Sequence, residues 1–322
     1  MMASSQPREW TGLQQFPVAT QNALHALLEK LRKEDVNSLT VLVLGKGGVG
    51  KSSTVNSLVG ERVAAVSAFQ SETIRTVMCS RVRAGFTLNI IDTPGLVEGL
   101  FVNDHALDTI RRSLLNKTID VMIYVDRLDG YRVDNLDRQV VRAIARSFGP
   151  QIWKIAVLGL THAQLSPPDG ISYSDFVERR SNALIEMIQK EVVFKKGDPQ
   201  IPIALIENSG RCSTNSGGEK VLPDGSVWLP KLVEHIVDIA TGSAEPIVID
   251  KKLIDGPNPN KRGRVFVPLI FLFQYLFIMK PMVYLMKRDM ESEVRRRPSW
   301  EVLAGQKEES PSAVEPVQTE EY

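Results

Sequence analysis

The chain has 322 residues, enough for about two average domains or for one large α/β domain with attachments. Its 39 lysines and arginines balance 38 aspartates and glutamates, so the net charge of +1 gives no reason to expect a nucleic acid or another polyanion as partner. Cys79 and Cys212 are the only cysteines, too few for a disulfide framework or a cysteine-rich zinc site.

Strands and helices are predicted to alternate up to about residue 240. Leu24, Leu27 and Leu31 fall at helical spacing, which predicts an opening helix within residues 17–37. Short apolar runs follow at 39–44, 87–91, 121–125, 155–158 and 201–206, and most of them are continuously apolar, as is typical of strands buried on both faces. Helical patterns lie between or after these runs at 50–60, 103–116, 134–147, 174–194 and 229–240. The alternation predicts an α/β fold with a doubly wound, mostly parallel sheet.

One strand of this sheet is expected to run antiparallel. The segment 76–83 is joined to Phe86 by Ala84 and Gly85 alone, and a connection of two residues suits a tight hairpin. The sequence therefore predicts one antiparallel strand next to the strand at 87–91.

Beyond residue 242 the composition changes. Residues 1–242 are predicted to form the main domain, and 243–264, rich in Pro, Gly, Asn and Lys, a linker. Residues 265–286 are almost continuously apolar and predict a single transmembrane helix that anchors the chain by its tail. Residues 287–322 have too little apolar content for a core and are predicted to be disordered. Residues 1–20 contain no apolar run typical of a secretory signal.

A glycine-rich motif directly follows the first apolar strand and precedes a helical pattern. Backbone N–H groups of such a loop point at phosphates, and the N-terminus of the next helix adds a favourable field. Lys51 is expected to contact the β- and γ-phosphates, and Ser52 to bind magnesium. The motif consists of Gly45, Lys46, Gly47, Gly48, Val49, Gly50, Lys51 and Ser52.

A second motif, DTPG, ends the strand at 87–91. Asp92 is expected to hold magnesium through water, and the Gly95 amide to meet the γ-phosphate. The polar segment 67–76 is long enough to cover bound phosphates as a switch and to complete the magnesium shell with a hydroxyl. The candidates for that hydroxyl are Thr73, which is the first choice, Ser71 and Thr76.

The residues expected to read the base are irregular. No Asn-Lys-x-Asp follows the strand at 155–158, and the sequence LTHAQ stands there instead. The neutral imidazole of His162 can stack on or hydrogen-bond a purine. The next strand ends in Glu207 and Asn208, and the carboxylate can accept from N1 and N2 of guanine. These residues favour a guanine nucleotide.

Four elements together, GKGGVGKSS, SETIRT, DTPG and LTHAQ followed by ENS, resemble the small receptor GTPases of the chloroplast outer-envelope protein-import translocon. The resemblance spans residues 15–240 and includes the C-terminal apolar segment. It implies a tail anchor in the outer envelope with the GTPase domain facing the cytosol. It also implies a homodimer, a larger related GTPase receptor as second partner, and precursor proteins with transit peptides as ligands.

The resemblance further implies Mg²⁺-dependent binding of GTP and GDP, and GTP hydrolysis. Arg132 matches the arginine that family members place across a nucleotide-side homodimer. Lys51 and Arg132 are the residues expected to act in hydrolysis. Whether Arg132 acts in hydrolysis or only in dimer formation stays open. Leu96 stands where Ras-like enzymes have a water-orienting Gln, so slow intrinsic hydrolysis is expected. The implied nucleotide contacts are Gly45 to Ser53 around the phosphates and Thr161, His162, Glu207 and Asn208 around guanine.

Three alternatives compete with this interpretation. The loop from Lys46 to Ser52 also resembles the deviant Walker motif of ParA and MinD type ATPases, whose extra lysine works across an ATP-bound dimer. A septin-like or immunity-type GTPase scaffold that polymerises on a membrane would use the nucleotide structurally. Finally, residues 265–286 could form a buried apolar helix instead of an anchor.

Overall fold

The computed structural model describes residues 7–66, 76–99, 101–192, 194, 197–249 and 261–296. These residues belong to two compact units, Met1–Gly256 and Pro257–Tyr322. The strands, all in the first unit, are β1 Arg8–Glu9, β2 Ser38–Gly45, β3 Val77–Arg83, β4 Phe86–Asp92, β5 Val97–Glu98, β6 Phe101–Val102, β7 Thr118–Ile119, β8 Val121–Arg127, β9 Ala156–Thr161, β10 Ile203–Ile206 and β11 Ile247–Val248. Its helices are α1 Val18–Lys33, α2 Lys51–Val59, α3 Asp104–Ser113, α4 Asn135–Phe148, α5 Tyr173–Glu191 and α6 Trp228–Ala240, with 3-10 helices at Thr11–Gln15 and Pro150–Ile155.

Seven strands form the central sheet in the order β1-β3-β4-β2-β8-β9-β10. Strands β4, β2, β8, β9 and β10 are parallel, and β3 is antiparallel to β4, which confirms the predicted sheet. The short edge strand β1 was not predicted; it pairs parallel to β3, so two strands run opposite to the other five.

Local sequence explains the elements that frame the site. Strand β8 is buried from Val121 to Asp126, as expected for a strand covered on both faces. The hairpin between β3 and β4 turns through Ala84 and Gly85, both with positive φ (49° and 83°), as a two-residue hairpin requires. Helix α4 begins with a reciprocal capping box between Asp134 and Asp137.

The boundary between the predicted domain and linker differs from the sequence interpretation. Strand β11, inside the predicted linker 243–264, pairs with β7, and Ile249 is fully buried. The first unit therefore continues past residue 242, because its last residues complete a two-stranded sheet.

The second unit is helical: α7 Lys261–Gln274, a π-helical stretch Tyr275–Met279 and α8 Lys280–Arg296 follow one another. The helix thus starts before residue 265, and the tail predicted to be disordered from 287 is helical up to Arg296; residues 297–322 lie outside the described residues. The helical segment Phe266–Ser292 is long and apolar enough to cross a membrane. Its mean hydropathy is 1.8, and none of its residues in the most apolar stretch is buried.

Candidate nucleotide-binding site

The glycine-rich loop leaves β2 at the carboxyl edge of the sheet and enters α2. A Cβ at Gly45 would lie 2.3 Å from the carbonyl oxygen of Val125, so only glycine lets the loop pass β8. Gly48 and Gly50 adopt positive φ angles of 70° and 94°, which side chains rarely tolerate. The loop therefore curls before Lys51 opens the helix, the geometry that directs N–H groups at an anion.

Lys51 is held inside this loop. Its side chain is 6% exposed, and Nζ donates to the carbonyl oxygen of Lys46 at 2.7 Å. Burial lowers the pKa of Lys51 to about 8, although the nearby Asp92 raises it. A phosphate beside Nζ would supply the negative charge that restores the ammonium form.

The predicted magnesium ligands Ser52 and Asp92 meet directly. The Ser52 hydroxyl donates to Oδ2 of Asp92 at 2.6 Å. Oδ1 of Asp92 is buried and accepts no hydrogen bond within the described part of the chain, and burial raises the pKa of this carboxyl. A hydroxyl and a carboxylate with one buried oxygen still unsatisfied fit a hard cation such as Mg²⁺.

The third predicted magnesium ligand stays a prediction. Thr73 and the alternative Ser71 lie outside the described residues. The Thr76 hydroxyl is buried without a hydrogen-bond partner among the described residues, so this alternative keeps a free oxygen.

The DTPG motif packs against the phosphate loop. A Cβ at Gly95 would lie 2.7 Å from Cα of Gly47, so the two backbones touch. The Leu96 amide donates to the carbonyl oxygen of Gly45 at 3.1 Å, which fixes the motif to the start of the loop. The Leu96 side chain is fully buried and has no polar atom with which to orient water.

At the carboxyl end of β9, Thr161 and His162 border the loop. The Thr161 hydroxyl donates to the carbonyl oxygen of Val49 at 2.8 Å. His162 has a φ of 59°, uncommon for a residue with a side chain and typical of functional positions. Burial and the charge of Arg127 lower the pKa of His162, so its imidazole is neutral at neutral pH and suited to a purine.

Glu207 joins the loops that follow β9 and β10. Its side chain is 5% exposed; Oε2 accepts from the Gln164 amide and Oε1 from the Ser209 amide, both at 2.9 Å. These bonds fix the carboxylate, and each oxygen retains capacity for a further donor. An oriented carboxylate at this edge is the group that guanine N1 and N2 require.

Asn208 has a different setting from the one expected. Its Nδ2 donates to the Thr54 hydroxyl at 3.1 Å, and its Oδ1 accepts from the Ser57 hydroxyl at 2.9 Å. Both ends of the amide thus engage α2 and brace the helix behind Gly50, whose Cβ position lies 3.5 Å from Nδ2. Contact of Asn208 with guanine stays a prediction.

The side chain of Lys46 is engaged by two carboxylates outside the glycine-rich loop. Nζ binds Asp137 at the start of α4 and lies 3.4 Å from Oδ1 of Asp126. Burial lowers the pKa of Lys46, but the two carboxylates outweigh burial and raise it overall. A lysine engaged within its own chain does not match the deviant Walker lysine that acts across a dimer.

Arg132 and Ser53 occupy the margins of the site. Arg132 is exposed on the loop between β8 and α4, which starts at the same sheet edge as the phosphate loop. Ser53 lies in the first turn of α2 and is half-buried.

Sequence reasoning missed the buried charges behind this edge. Asp126 directly follows the apolar run of β8, one residue before the strand ends at Arg127, and Asp92 follows the apolar run of β4 in the same way, so the position of Asp126 was a usable signal. Arg180 pairs with Asp126 from the middle of α5, where an arginine in an amphipathic helix resembles any surface residue.

The chain is similar to known proteins over most of its length. The sequence profile of the AIG1 family matches residues 39–196. Translocase of chloroplast 34 from Arabidopsis thaliana is 58% identical over 305 residues, covering 94% of this chain and 97% of that protein. Translocase of chloroplast 34 from Pisum sativum is also 58% identical, with coverages of 93% and 97%.

Solved structures give the same relationship. Toc33 from Arabidopsis thaliana in complex with GDP and Mg²⁺ is 54% identical, superposes with a TM-score of 0.72, and covers 75% of this chain and 100% of its own. A dimerization-deficient Toc33 variant is 55% identical with a TM-score of 0.73, and covers 75% and 100% of the two chains. The chain therefore belongs to the AIG1-type small receptor GTPases of the chloroplast protein-import translocon.

Proposed function

We propose that this chain is a membrane-anchored GTPase that binds GTP and GDP with Mg²⁺ and serves as a nucleotide-switched receptor in chloroplast protein import. The observation that carries the proposal is that one sheet edge brings together the buried Lys51, the Ser52–Asp92 pair and the oriented carboxylate of Glu207. These groups match, in order, the phosphates, the magnesium ion and the guanine base.

Each group has a defined part in binding and hydrolysis. Lys51 and the loop amides neutralise the β- and γ-phosphate oxygens, where charge develops during transfer. Ser52 and Asp92 hold Mg²⁺, which would bridge the phosphates and offset their charge. Since Leu96 cannot orient the attacking water, intrinsic hydrolysis is slow.

A second copy of the chain supplies Arg132 to the nucleotide face. The support is that Arg132 is exposed on a loop starting at the site's edge, and that dimerization is important for the GTPase activity of the related atToc33 and psToc159. Larger relatives also exist: translocase of chloroplast 132 from Arabidopsis thaliana is 35% identical over 260 residues, which cover 21% of that protein. Such a larger GTPase is the proposed second partner.

The remaining elements of the proposal concern location. Phe266–Ser292 anchors the chain in the lipid bilayer of the chloroplast outer envelope, and the GTPase unit faces the cytosol, the compartment that supplies GTP. There it receives precursor proteins that carry transit peptides.

Calorimetric titration with GDP, IDP and ADP tests the nucleotide assignment. IDP lacks the N2 amino group of guanine, so the wild type should bind GDP more tightly than IDP and far more tightly than ADP. Glu207→Gln should weaken GDP binding by about 1 to 3 kcal/mol through loss of a charged acceptor, and should narrow the preference for GDP over IDP.

Glu186→Gln, on the exposed side of α5, is the matched control and should bind like the wild type. Equal GDP affinity in Glu207→Gln and the wild type would remove Glu207 from the site. Tighter binding of ADP than of GDP would favour the ParA and MinD alternative.

A further inference from the structure

Helix α5 holds the loop that carries Arg132. The ring of Tyr131 packs against Phe176 with centroids 5.8 Å apart. One turn further along α5, Arg180 donates from Nη1 to the carbonyl oxygen of Arg132 at 3.2 Å and from Nε to the carbonyl oxygen of Arg127 at 3.3 Å. A single guanidinium thus binds the main chain at two points, where the loop leaves β8 and at Arg132 itself.

This guanidinium has little freedom to move. Arg180 is 4% exposed, and its Nη2 donates to Oδ2 of Asp126 at 3.0 Å. Asp126 also lies beside Lys46 of the phosphate loop, and Lys46 binds Asp137 at the start of α4. Because buried charges are tolerated only with their partners in place, this cluster of four side chains fixes Arg180 in one orientation and links the Arg132 loop to the phosphate loop.

Gly130 makes room for the contact. A Cβ at this position would lie 2.9 Å from Nη2 of Arg180 and 3.4 Å from its Cζ. Any side chain here pushes against the guanidinium, so the loop sequence and the buried arginine depend on each other.

We propose that Arg180 is the positioning residue for Arg132. It orders the loop backbone in advance, so that the exposed Arg132 side chain reaches a second copy with less conformational entropy to lose on docking. This inference rests on the proposed function, in which Arg132 acts across a homodimer. Arg180 is buried beneath the loop, so in this proposal it acts only through the loop backbone that it binds.

The test uses the full chain in detergent. Self-association is measured by fluorescence resonance energy transfer between copies that carry different labels, once in the presence of GDP and once in the presence of a GTP analogue. Gly130→Ala should displace Arg180 without removing its charge, and should raise the dimer dissociation constant about tenfold while GDP affinity changes less than about twofold. Gly210→Ala is the matched control, because a Cβ there meets nothing within 4 Å. Arg180→Lys, which keeps the charge beside Asp126 but loses the fork that spans the loop, should weaken association in the same way.

A double-mutant cycle separates positioning from general damage. In an Arg132→Ala background, adding Gly130→Ala should cost no further association, since both changes remove the same contact. If the losses in association from Arg132→Ala and Gly130→Ala were additive, the positioning role of Arg180 would be overturned, but the dimer contact of Arg132 would stand. Dimerisation like the wild type by both Gly130→Ala and Arg180→Lys would have the same consequence. Wild-type dimerisation by Arg132→Ala would overturn the proposed dimer contact together with it.

Discussion

Three carboxylates stand at or just after the carboxyl ends of β4, β8 and β10, which alternate with β2 and β9 in the sheet, and each has a different partner. Asp92 accepts from the Ser52 hydroxyl, Asp126 pairs with buried cations, and Glu207 holds two backbone amides. The strand order β4-β2-β8-β9-β10 places the three side chains in separate surroundings along one edge. In the proposed function the same carboxylate chemistry therefore serves a cation, a loop and a base.

The lowered pKa of Lys51 predicts proton exchange on nucleotide binding. Between about pH 8 and its ordinary pKa near 10.4, Lys51 is neutral in the free folded protein and protonated in the unfolded chain. Stability of the nucleotide-free protein therefore rises with pH across this window, since there the unfolded state binds more protons. Phosphates restore the ammonium, so binding GDP should take up a proton near pH 8.5, where most of the nucleotide-free protein has lost the Lys51 proton, and less at about pH 7.

Calorimetry in two buffers of different ionisation enthalpy measures this uptake. The apparent binding enthalpy at about pH 8.5 should depend on the buffer, and the dependence should shrink at about pH 7. Buffer-independent heats at the higher pH would show that Lys51 is already charged without nucleotide.

At the scale of elements, local patterns predicted the sheet and its helices because their signals lie close together in sequence. The short strand β1 escaped prediction since two residues carry no periodicity, and it is held in place by distant contacts such as that of Trp10 Nε1 with the carbonyl oxygen of Val59, at 2.8 Å. The pair of Asp126 and Arg180 joins residues 54 positions apart and likewise leaves no local pattern. The phosphate loop and Glu207 were predictable, whereas the bracing role of Asn208 required its contacts with α2.

The helix from Phe266 to Ser292 predicts tail anchoring. A chain ending at Gly256 should retain the first compact unit, bind GDP and leave membranes on carbonate extraction. Leu272→Lys with Leu276→Lys in the full chain should weaken insertion as well, because a central lysine costs about 2.5 to 3.5 kcal/mol in a membrane helix. Firm membrane retention of the truncated chain would place the anchor in the first unit.

At the scale of the whole molecule, one face of the GTPase unit carries both the nucleotide residues and the loop of Arg132. Strands β2, β4, β8, β9 and β10 end at this face, and the loop leaves β8 there. In the proposed function, self-association and nucleotide binding therefore share this surface, and we expect nucleotide state to control whether two copies meet. An arginine that contacts the phosphates of the bound nucleotide, but not the transition state, favours association of the two copies and changes the rate of GTP hydrolysis little.

Sedimentation of full-length Arg132→Ala in detergent, at several protein concentrations with GDP and with GMPPNP, tests this shared surface most directly. The account predicts weaker nucleotide-dependent self-association and modestly slower GTP hydrolysis, with GDP affinity of the monomer nearly unchanged. Arg32→Ala, an exposed arginine on α1, should dimerise like the wild type. An Arg132→Ala protein that dimerises like the wild type in both nucleotide states would contradict the account.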